Sequence, residues 1–414
     1  MLLTLISLPN YKEKESLLVT DELPTEGLIS LPIEQPLKIA ILGGIQFLDP
    51  SLMIDCLGEE TDFRLYNNIH HTVGEFSKPM MDEVISKVLK KKPDLLLIPG
   101  DLSYNGEEIS HNTIAGILNE VTNQGIKVFV IPGIEDILNP LSFAYNGNGH
   151  TTTPTIMADR FAEIYSDFGY ADAIARDPNS LSYLAQPFDN IWILGIDDRF
   201  GTIDHGAIKP ETMEWILGYL AEAKENNITV FGLLHHSVTE DWPGMAGPGH
   251  LYVIQNHEYV ENALTDAGLK IIFTAHAIDI TRISKGENTL YDIGSLGMLI
   301  PPFSFRMIYL EQNSMEIETH FIKSIDATIP GGVSLLDYSN AYVEQNLIRR
   351  LNSYPDFMKL YGARALMDYY AGDEKLSSED RKVFEAWPLS YKNIMININT
   401  DLPPEDRQYT LDIQ

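Results

Sequence analysis

The chain reads as an α/β sandwich, with helices alternating with strands through its first two thirds and consecutive strands after that. Three observations predict this. Short apolar runs break at Gly, Pro or His in ILGGIQF (41–47), IPGDLSYNGE (98–107), VIPGIED (130–136), LLHH (233–236) and FTAHAID (273–279). Buried parallel strands that deliver polar residues to the carboxyl edge of a sheet have this form. Amphipathic stretches with helical apolar spacing separate most of these runs. After residue 276 the texture changes to short strands without intervening helices, which implies a mixed second sheet.

The elements follow in order. Residues 1–36, with Pro24, Pro32 and Pro36, read as an irregular lead-in. LKIAILGG is a strand. Met80, Val84, Ile85, Val88 and Leu89 place a helix over 67–91. PDLLLIPG is a strand, and Ile114, Ile117, Leu118 and Val121 share one face of a helix over 110–123. KVFVIPG is a strand, followed by a polar loop (146–154) and a helix near 157–168. LSYLAQP and NIWILGID are strands, and a helix over 209–225 carries Pro210 in its first turn. ITVFGLLHH and KIIFTAH flank a helix near 256–267. DITRIS, NTLYDIG, FRMIYLE and SMEIETHFI are the closing strands. Residues beyond Pro330–Gly332 carry few strand signals and read as mostly helical, so the chain divides into 1–36, 37–329 and 330–414.

Composition narrows the function. Of 414 residues, 29 are basic and 59 acidic, a net charge of −30. Non-specific nucleic-acid or anionic-membrane binding needs a basic surface, so both are excluded as expectations. An anionic substrate would need local positive charge, which bound metal commonly supplies. Cys56 is the only cysteine, so no intrachain disulfide forms and the redox compartment stays open. No apolar run reaches the ~18 residues of a membrane span. MLLTLISLP lacks the basic start of a signal peptide. The expectation is a cytoplasmic protein, or an exported one whose leader is absent from this sequence.

The strand-end motifs, in their order, resemble those of the calcineurin-like metallophosphoesterase family over roughly residues 37–320, most closely bacterial members with an extra carboxyl-terminal region. That family carries Asp-x-His after the first strand, Gly-Asp after the second and Gly-Asn-His-Asp/Glu after the third. A later strand ends in His and a final one in Gly-His-x-His. Here LIPGDLSYNGE followed by Ser110-His111, VIPG followed by Asp136, and LLHH match in order. The resemblance implies a four-layer α/β/β/α sandwich of two mixed sheets with a mostly helical appendage. It implies two divalent ions that clamp a phosphate ester, with a non-ligand His assisting the leaving group.

The resemblance places Asp101 at the bridging metal position, and His235 and His276 at two further metal-ligand positions. Five positions depart from the pattern. Gly44-Ile45-Gln46 stands where Asp-x-His is expected, Ile134-Glu135 where Asn-His is expected, and Ile278 where the last His would fall. One ion position thereby keeps only Asp101, while the other keeps Asp101, His235 and His276, a set that still suits a single ion. The expected cofactor is none, or one divalent metal such as Mn, Zn or Fe. Gln46 reads as a remnant rather than a new ligand, because amides bind transition metals weakly. Glu135 and His236 are the candidate catalytic groups. Glu135 reads equally as a loop charge or a helix-start carboxylate, and His236 as a core histidine bonded to backbone.

Blander readings apply elsewhere. Tyr145, Asn146 and His150 read as a solvated loop, and His70-His71 as a helix end without a visible partner. Asp197-Asp198 reads as a turn with two solvated carboxylates, and the tyrosines of 338–370 as packing residues. The sequence therefore predicts a phosphoesterase-like protein with a reduced metal site, weak or absent hydrolysis, and a ligand-binding or scaffold role. The alternative is an active one-metal phosphoesterase. Expected partners are a small phosphate ester and, through 330–414, a protein.

Overall fold

The computed structural model describes residues 36–200, 206–246, 252–275, 278–311, 314–350, 355–372, 374–400, 404 and 406–412. All of the expected lead-in except Pro36 lies outside the described residues, as does His276.

The first third runs β1 (Leu37–Ile41), β2 (Met53–Ile54), α1 (Asp62–His70), α2 (Ser77–Lys91), β3 (Leu95–Pro99), α3 (Glu108–Thr122) and β4 (Lys127–Ile131). A hairpin, β5 (Phe143–Asn146) and β6 (Gly149–Thr152), leads to α4 (Ala158–Ile164). Next come β7 (Ala173–Arg176), β8 (Tyr183–Phe188), β9 (Ile191–Gly195), α5 (Pro210–Glu225), β10 (Thr229–Leu233), α6 (His257–Ala267) and β11 (Ile271–Thr274). The strands β12 (Ile280–Lys285), β13 (Asn288–Gly294), β14 (Ser304–Leu310) and β15 (Ser314–Phe321) follow without helices between them. Helices α7 (Leu335–Arg350), α8 (Asp356–Ala371), α9 (Ser378–Glu385) and α10 (Leu389–Ile398) precede a last strand, β16 (Gln408–Asp412).

Two large mixed sheets result, ordered β16-β15-β14-β1-β3-β4 and β12-β13-β11-β10-β9-β8-β7. The motif-bearing strands β1, β3 and β4 are parallel in the first sheet, and β9, β10, β11 and β13 in the second. Antiparallel strands close every edge but one, that of β4 in the first sheet. Side-chain alternation shows how the sheets stack. Ile191, Ile193, Ile271 and Phe273 join one large core with Ile39, Leu97 and Phe129 of the first sheet. Their even-numbered neighbours Trp192, Leu194 and Ile272 instead pack with Met213, Ile216 and Leu220 of α5 and Val260 and Leu264 of α6. A period of two thus puts one face of the second sheet against the first sheet and the other under helices. Met80, Val84 and Val88 of α2 and Ile114, Leu118 and Val121 of α3 are buried on the first sheet's side. The architecture is the expected four-layer α/β/β/α sandwich, whose motif-bearing strand ends lie at the carboxyl edges of the parallel strands.

Several sequence expectations need correction. The helix expected over 67–91 is two helices. His71 turns left-handed at φ 58° and ends α1, and the next residues are drawn into the core. There Val73 is fully buried and its N–H donates to Leu299 O at 3.1 Å. The polar loop at 146–154 is largely the β5–β6 hairpin, which pairs with β2 and buries Tyr145. The helix near 157–168 stops at Ile164, and an irregular turn with Gly169 at φ 120° follows. The carboxyl-terminal region is helical as read, but β16 returns to pair with β15 at the edge of the first sheet. Its helices lie on the domain itself: Val343, Leu347, Ala363, Leu366, Tyr369 and Tyr370 pack against Trp242, Met245, Ile278 and Leu296.

Candidate functional site

Strand β3 ends at Pro99, and Gly100 (φ 82°) and Asp101 (φ 51°) then turn left-handed. A glycine adopts this region freely, whereas an aspartate does so at some cost. The turn is zipped to the loop after β1, because Gln46 N–H donates to Asp101 O at 2.8 Å and Phe47 N–H to Leu102 O at 2.8 Å. It leaves the Asp101 carboxylate buried at the sheet edge, with Oδ1 accepting from Glu135 N–H at 3.0 Å.

His235 arrives from the end of β10. Its Nδ1 lies 2.8 Å from Pro99 O, an acceptor only, so Nδ1 carries the proton. Nε2 then presents its lone pair, 3.4 Å from Asp101 Oδ1. Burial and the neighbouring His236 pull His235 down to about 4, so the ring is neutral at pH 7. A neutral imidazole fixed through Nδ1 to a carbonyl, with Nε2 beside a carboxylate, is a donor pair suited to a divalent cation. Burial, followed by Glu135 and Asp136, pushes Asp101 well above the usual carboxyl range, as expected for a carboxylate among acidic neighbours.

Gly133 makes this convergence possible. A Cβ there would lie 2.3 Å from Asp101 Oδ1 and 2.8 Å from His235 Cε1. Asp136 holds the loops in place. Its carboxylate accepts from the N–H groups of Gly133, Leu102 and Ser103 at 2.8, 3.1 and 2.8 Å and from Ser103 Oγ at 2.9 Å. His111 supports the same loop, its Nε2 lying 2.9 Å from Asp136 O and its Nδ1 2.8 Å from Tyr165 OH.

The candidate catalytic residues sit beside this pair. Glu135 and Ile134 are both half-buried at the rim. Asn139 Nδ2 donates to the Glu135 carboxylate and, at 3.2 Å, to Asn105 Oδ1. His236 is fully buried, with its Nδ1 2.9 Å from Asp198 Oδ2 and its N–H donating to the same oxygen at 3.0 Å. Burial would raise Asp198, but His236, His235 and these bonds bring it below the usual range. The expectation of two solvated carboxylates at Asp197-Asp198 is thereby corrected. Asp197 is buried in a fork with Arg199 at 3.0 and 3.1 Å, and Asp198 is fully buried against His236.

The other side of the cleft is built differently. Gly44 turns at φ 40° and Gln46 at φ 47°. Gly43 N–H donates to Ser295 Oγ at 3.3 Å, and Met298 N–H donates to Gly44 O at 3.0 Å. A Cβ at Gly44 would stand 3.1 Å from Gly297 Cα. Ile278 is 1% exposed and belongs to the apolar cluster made with the carboxyl-terminal helices. Its carbonyl accepts from the buried Arg306, which also donates to Gly294 O and Asp406 O. Beyond it, Asp279, Glu374 and Asp406 bring carboxylate oxygens within 4.8 Å of one another around a small cavity.

The structure therefore brings together Asp101, His235, Glu135 and His236 and puts Gly44 and Gln46 on the neighbouring strand end. The roles of Asp136, Asn139 and Arg306 escaped the sequence reading. Asp136 had been visible only as a motif match, and an arginine within a strand gives no sign of burial.

No family model matches the chain. A curated protein from Ruthia magnifica subsp. Calyptogena magnifica, "Probable cyclic nucleotide phosphodiesterase", is 34% identical over 82 residues, 20% of this chain. The match spans about a third (34%) of that protein's length. Among solved structures, a dimetal phosphatase from Danio rerio is 12% identical with a TM-score of 0.48, covering 69% of this chain and 96% of its own. Purple acid phosphatase from yellow lupin is 13% identical with a TM-score of 0.42, covering 72% and 52%. The resemblance to calcineurin-like metallophosphoesterases stands on the layered fold and on the order of the strand-end motifs. Among the described residues no helix is long and apolar enough to cross a membrane.

Proposed function

We propose that this chain is a metallophosphoesterase-like protein whose cleft takes one divalent cation rather than two, with weak or absent phosphoester hydrolysis, and that it binds a phosphate-ester ligand or serves as a scaffold. The observation that carries this reading is a contrast. Asp101 and His235 converge at 3.4 Å, whereas Gly44, Ile134 and Ile278 offer no donor side chain where the resemblance expects ligands.

When bound, a divalent ion would supply positive charge for a phosphate oxygen and lower the pKa of a coordinated water. Asp101 and His235 would hold it, and His276 is proposed as a further ligand on motif order alone. Glu135 is the half-buried carboxylate placed to accept a proton, but it adds negative charge where the resemblance expects a histidine. That charge disfavours a phosphate dianion. His236, clamped by Asp198, orients the loop that carries His235.

Metal content after exhaustive dialysis against manganese is the first test. One equivalent per chain, lost in Asp101→Ala, supports the reading, and two equivalents sink it. The second reading is an active one-cation phosphodiesterase, supported by the name of the curated relative. Turnover of a chromogenic phosphodiester with Mn, Zn, Fe or Ni, abolished in Asp101→Ala, would select it.

A further inference from the structure

The sandwich and the carboxyl-terminal region meet around a small cavity ringed by acid. Asp241 after β10, Asp279 and Thr281 of the β12 segment line it from one side. Glu374 after α8, Thr400 after α10 and Asp406 before β16 line it from the other. All four acidic residues are buried. Carboxylate oxygens of Asp279, Glu374 and Asp406 lie within 4.8 Å of one another, close enough for one ion to touch all three. Like charges gathered away from water are costly, and protons or a cation must offset them. Arg306, which donates to the carbonyls of Ile278, Gly294 and Asp406, adds one positive charge against four carboxylates.

Asp241 supplies a second, separate observation. It stands outside the group of three, is 5% exposed and lines the same cavity. Its Oδ2 accepts from Tyr369 OH at 3.0 Å, and among the described residues no hydrogen bond reaches Oδ1. A carboxylate oxygen withdrawn from water without a donor is destabilising, and an acceptor-only group facing three others attracts a cation. Burial, followed by the carboxylate of Asp292, pushes Asp241 well above the usual carboxyl range, and a bound cation is what would let it ionise. Thr400 Oγ1 donates to Ile396 O at 2.7 Å, so its oxygen keeps lone pairs for a further bond.

We propose that Asp241, Asp279, Glu374 and Asp406 form a calcium site that fastens the carboxyl-terminal region to the sandwich. Oxygen donors alone, several of them carboxylates, suit Ca²⁺, which takes roughly six to eight oxygens and completes its shell with hydroxyls and water. The Asp101–His235 pair, which mixes oxygen with imidazole nitrogen, is a different kind of site.

Calorimetric titration of the chelator-treated full chain with CaCl₂, alongside thermal melting, tests it. The parent should bind one Ca²⁺ and melt at a higher temperature with calcium than without. Asp101→Ala should bind calcium as tightly as the parent. Glu374→Gln, a neutral replacement of the same shape, should weaken Ca²⁺ by roughly tenfold or more. In chelator it should melt above the parent, because one of four like charges is gone. Asp241→Asn should behave in the same way and decides the matter if Glu374→Gln does not fold. Calcium should also slow limited proteolysis of the carboxyl-terminal helices in the parent but not in Glu374→Gln. A parent that binds no calcium, or unchanged affinity in Glu374→Gln and Asp241→Asn, overturns the inference. Loss of calcium in Asp101→Ala assigns the ion to the cleft and overturns it too. The manganese lost in Asp101→Ala should be retained in Glu374→Gln, so the one-cation reading stands or falls separately.

Discussion

The two sides of the cleft are built from opposite materials. On the β3–β4–β10 side, donors converge and their supports are in place: Asp136 gathers three N–H groups and a hydroxyl, Gly133 leaves room for the Asp101 carboxylate, and Pro99 O fixes the His235 tautomer. On the side formed by β1 and the segments after β11 and β13, glycines press against the 295–298 segment. There Ile278 and Leu296 are buried in an apolar cluster with the carboxyl-terminal helices. The first side is a hydrogen-bonded network of polar groups around the Asp101–His235 pair. The second is a packing interface. The contrast teaches that the second side is closed by apolar packing, whereas on the first side the departures at Ile134 and Glu135 sit within an intact hydrogen-bond network around Asp136.

The largest effect should come from the polar side. Asp136→Ala strands three buried N–H groups and should cost about 4 kcal/mol, read from urea midpoints. A loss near 1 kcal/mol would mean that water replaces the carboxylate and that the polar side is less built than it looks. The packing side answers to cavities. Leu366 is 1% exposed, and Leu366→Ala should cost about 3 kcal/mol. A near-zero cost in calorimetric melting would show that the helices only rest on the domain.

A pH series separates the sides further. Glu107, fully buried after the β3 loop, is pushed up to about 8 by burial. The folded state therefore keeps this proton where the unfolded chain has released it. Folding weakens as pH climbs from the ordinary carboxyl value toward about 8. Glu107→Gln should gain up to about 5 kcal/mol on the parent between acidic and mildly alkaline buffer. Parallel pH profiles for the two proteins would place the charge elsewhere. The smallest effect is expected from Gly44→Asp. Asp tolerates the left-handed backbone but crowds Gly297 Cα, costing about 1 kcal/mol. Metal content by emission spectrometry should stay at one equivalent, since donors alone do not empty a packed interface. A second equivalent would collapse the distinction between the two sides.

The fold was legible because its strands announce themselves. Runs such as LLLIP and IWILG are too apolar for any edge, and the Gly or Pro that ends each run places the motif residues at a carboxyl edge. Asp101 and His235 could be placed by order alone. What sequence could not show was partnership. Asp198 reads like any acidic turn until His236, 38 residues on, folds back onto it. Nor does His71 look like a helix stop, since its left-handed turn is imposed by the burial of Val73. The β5–β6 hairpin was missed because Asn, Gly and Thr lack the apolar alternation that marks a strand, and its register comes from pairing with β2.

Strand β1 sits in the interior of its sheet between β3, which follows it closely in the chain, and β14, whose residues 306–310 pair with 37–41. During synthesis the parallel unit of β1, β3 and β4 can therefore assemble early, with the Asp101 turn already formed. One flank of β1 then stays open until most of the polypeptide has left the ribosome. Long-range pairing of this kind is slow and leaves an unpaired strand exposed meanwhile. The nascent protein thus depends on β14 to seal β1, and a stall between them would leave that flank ready to join a neighbouring chain.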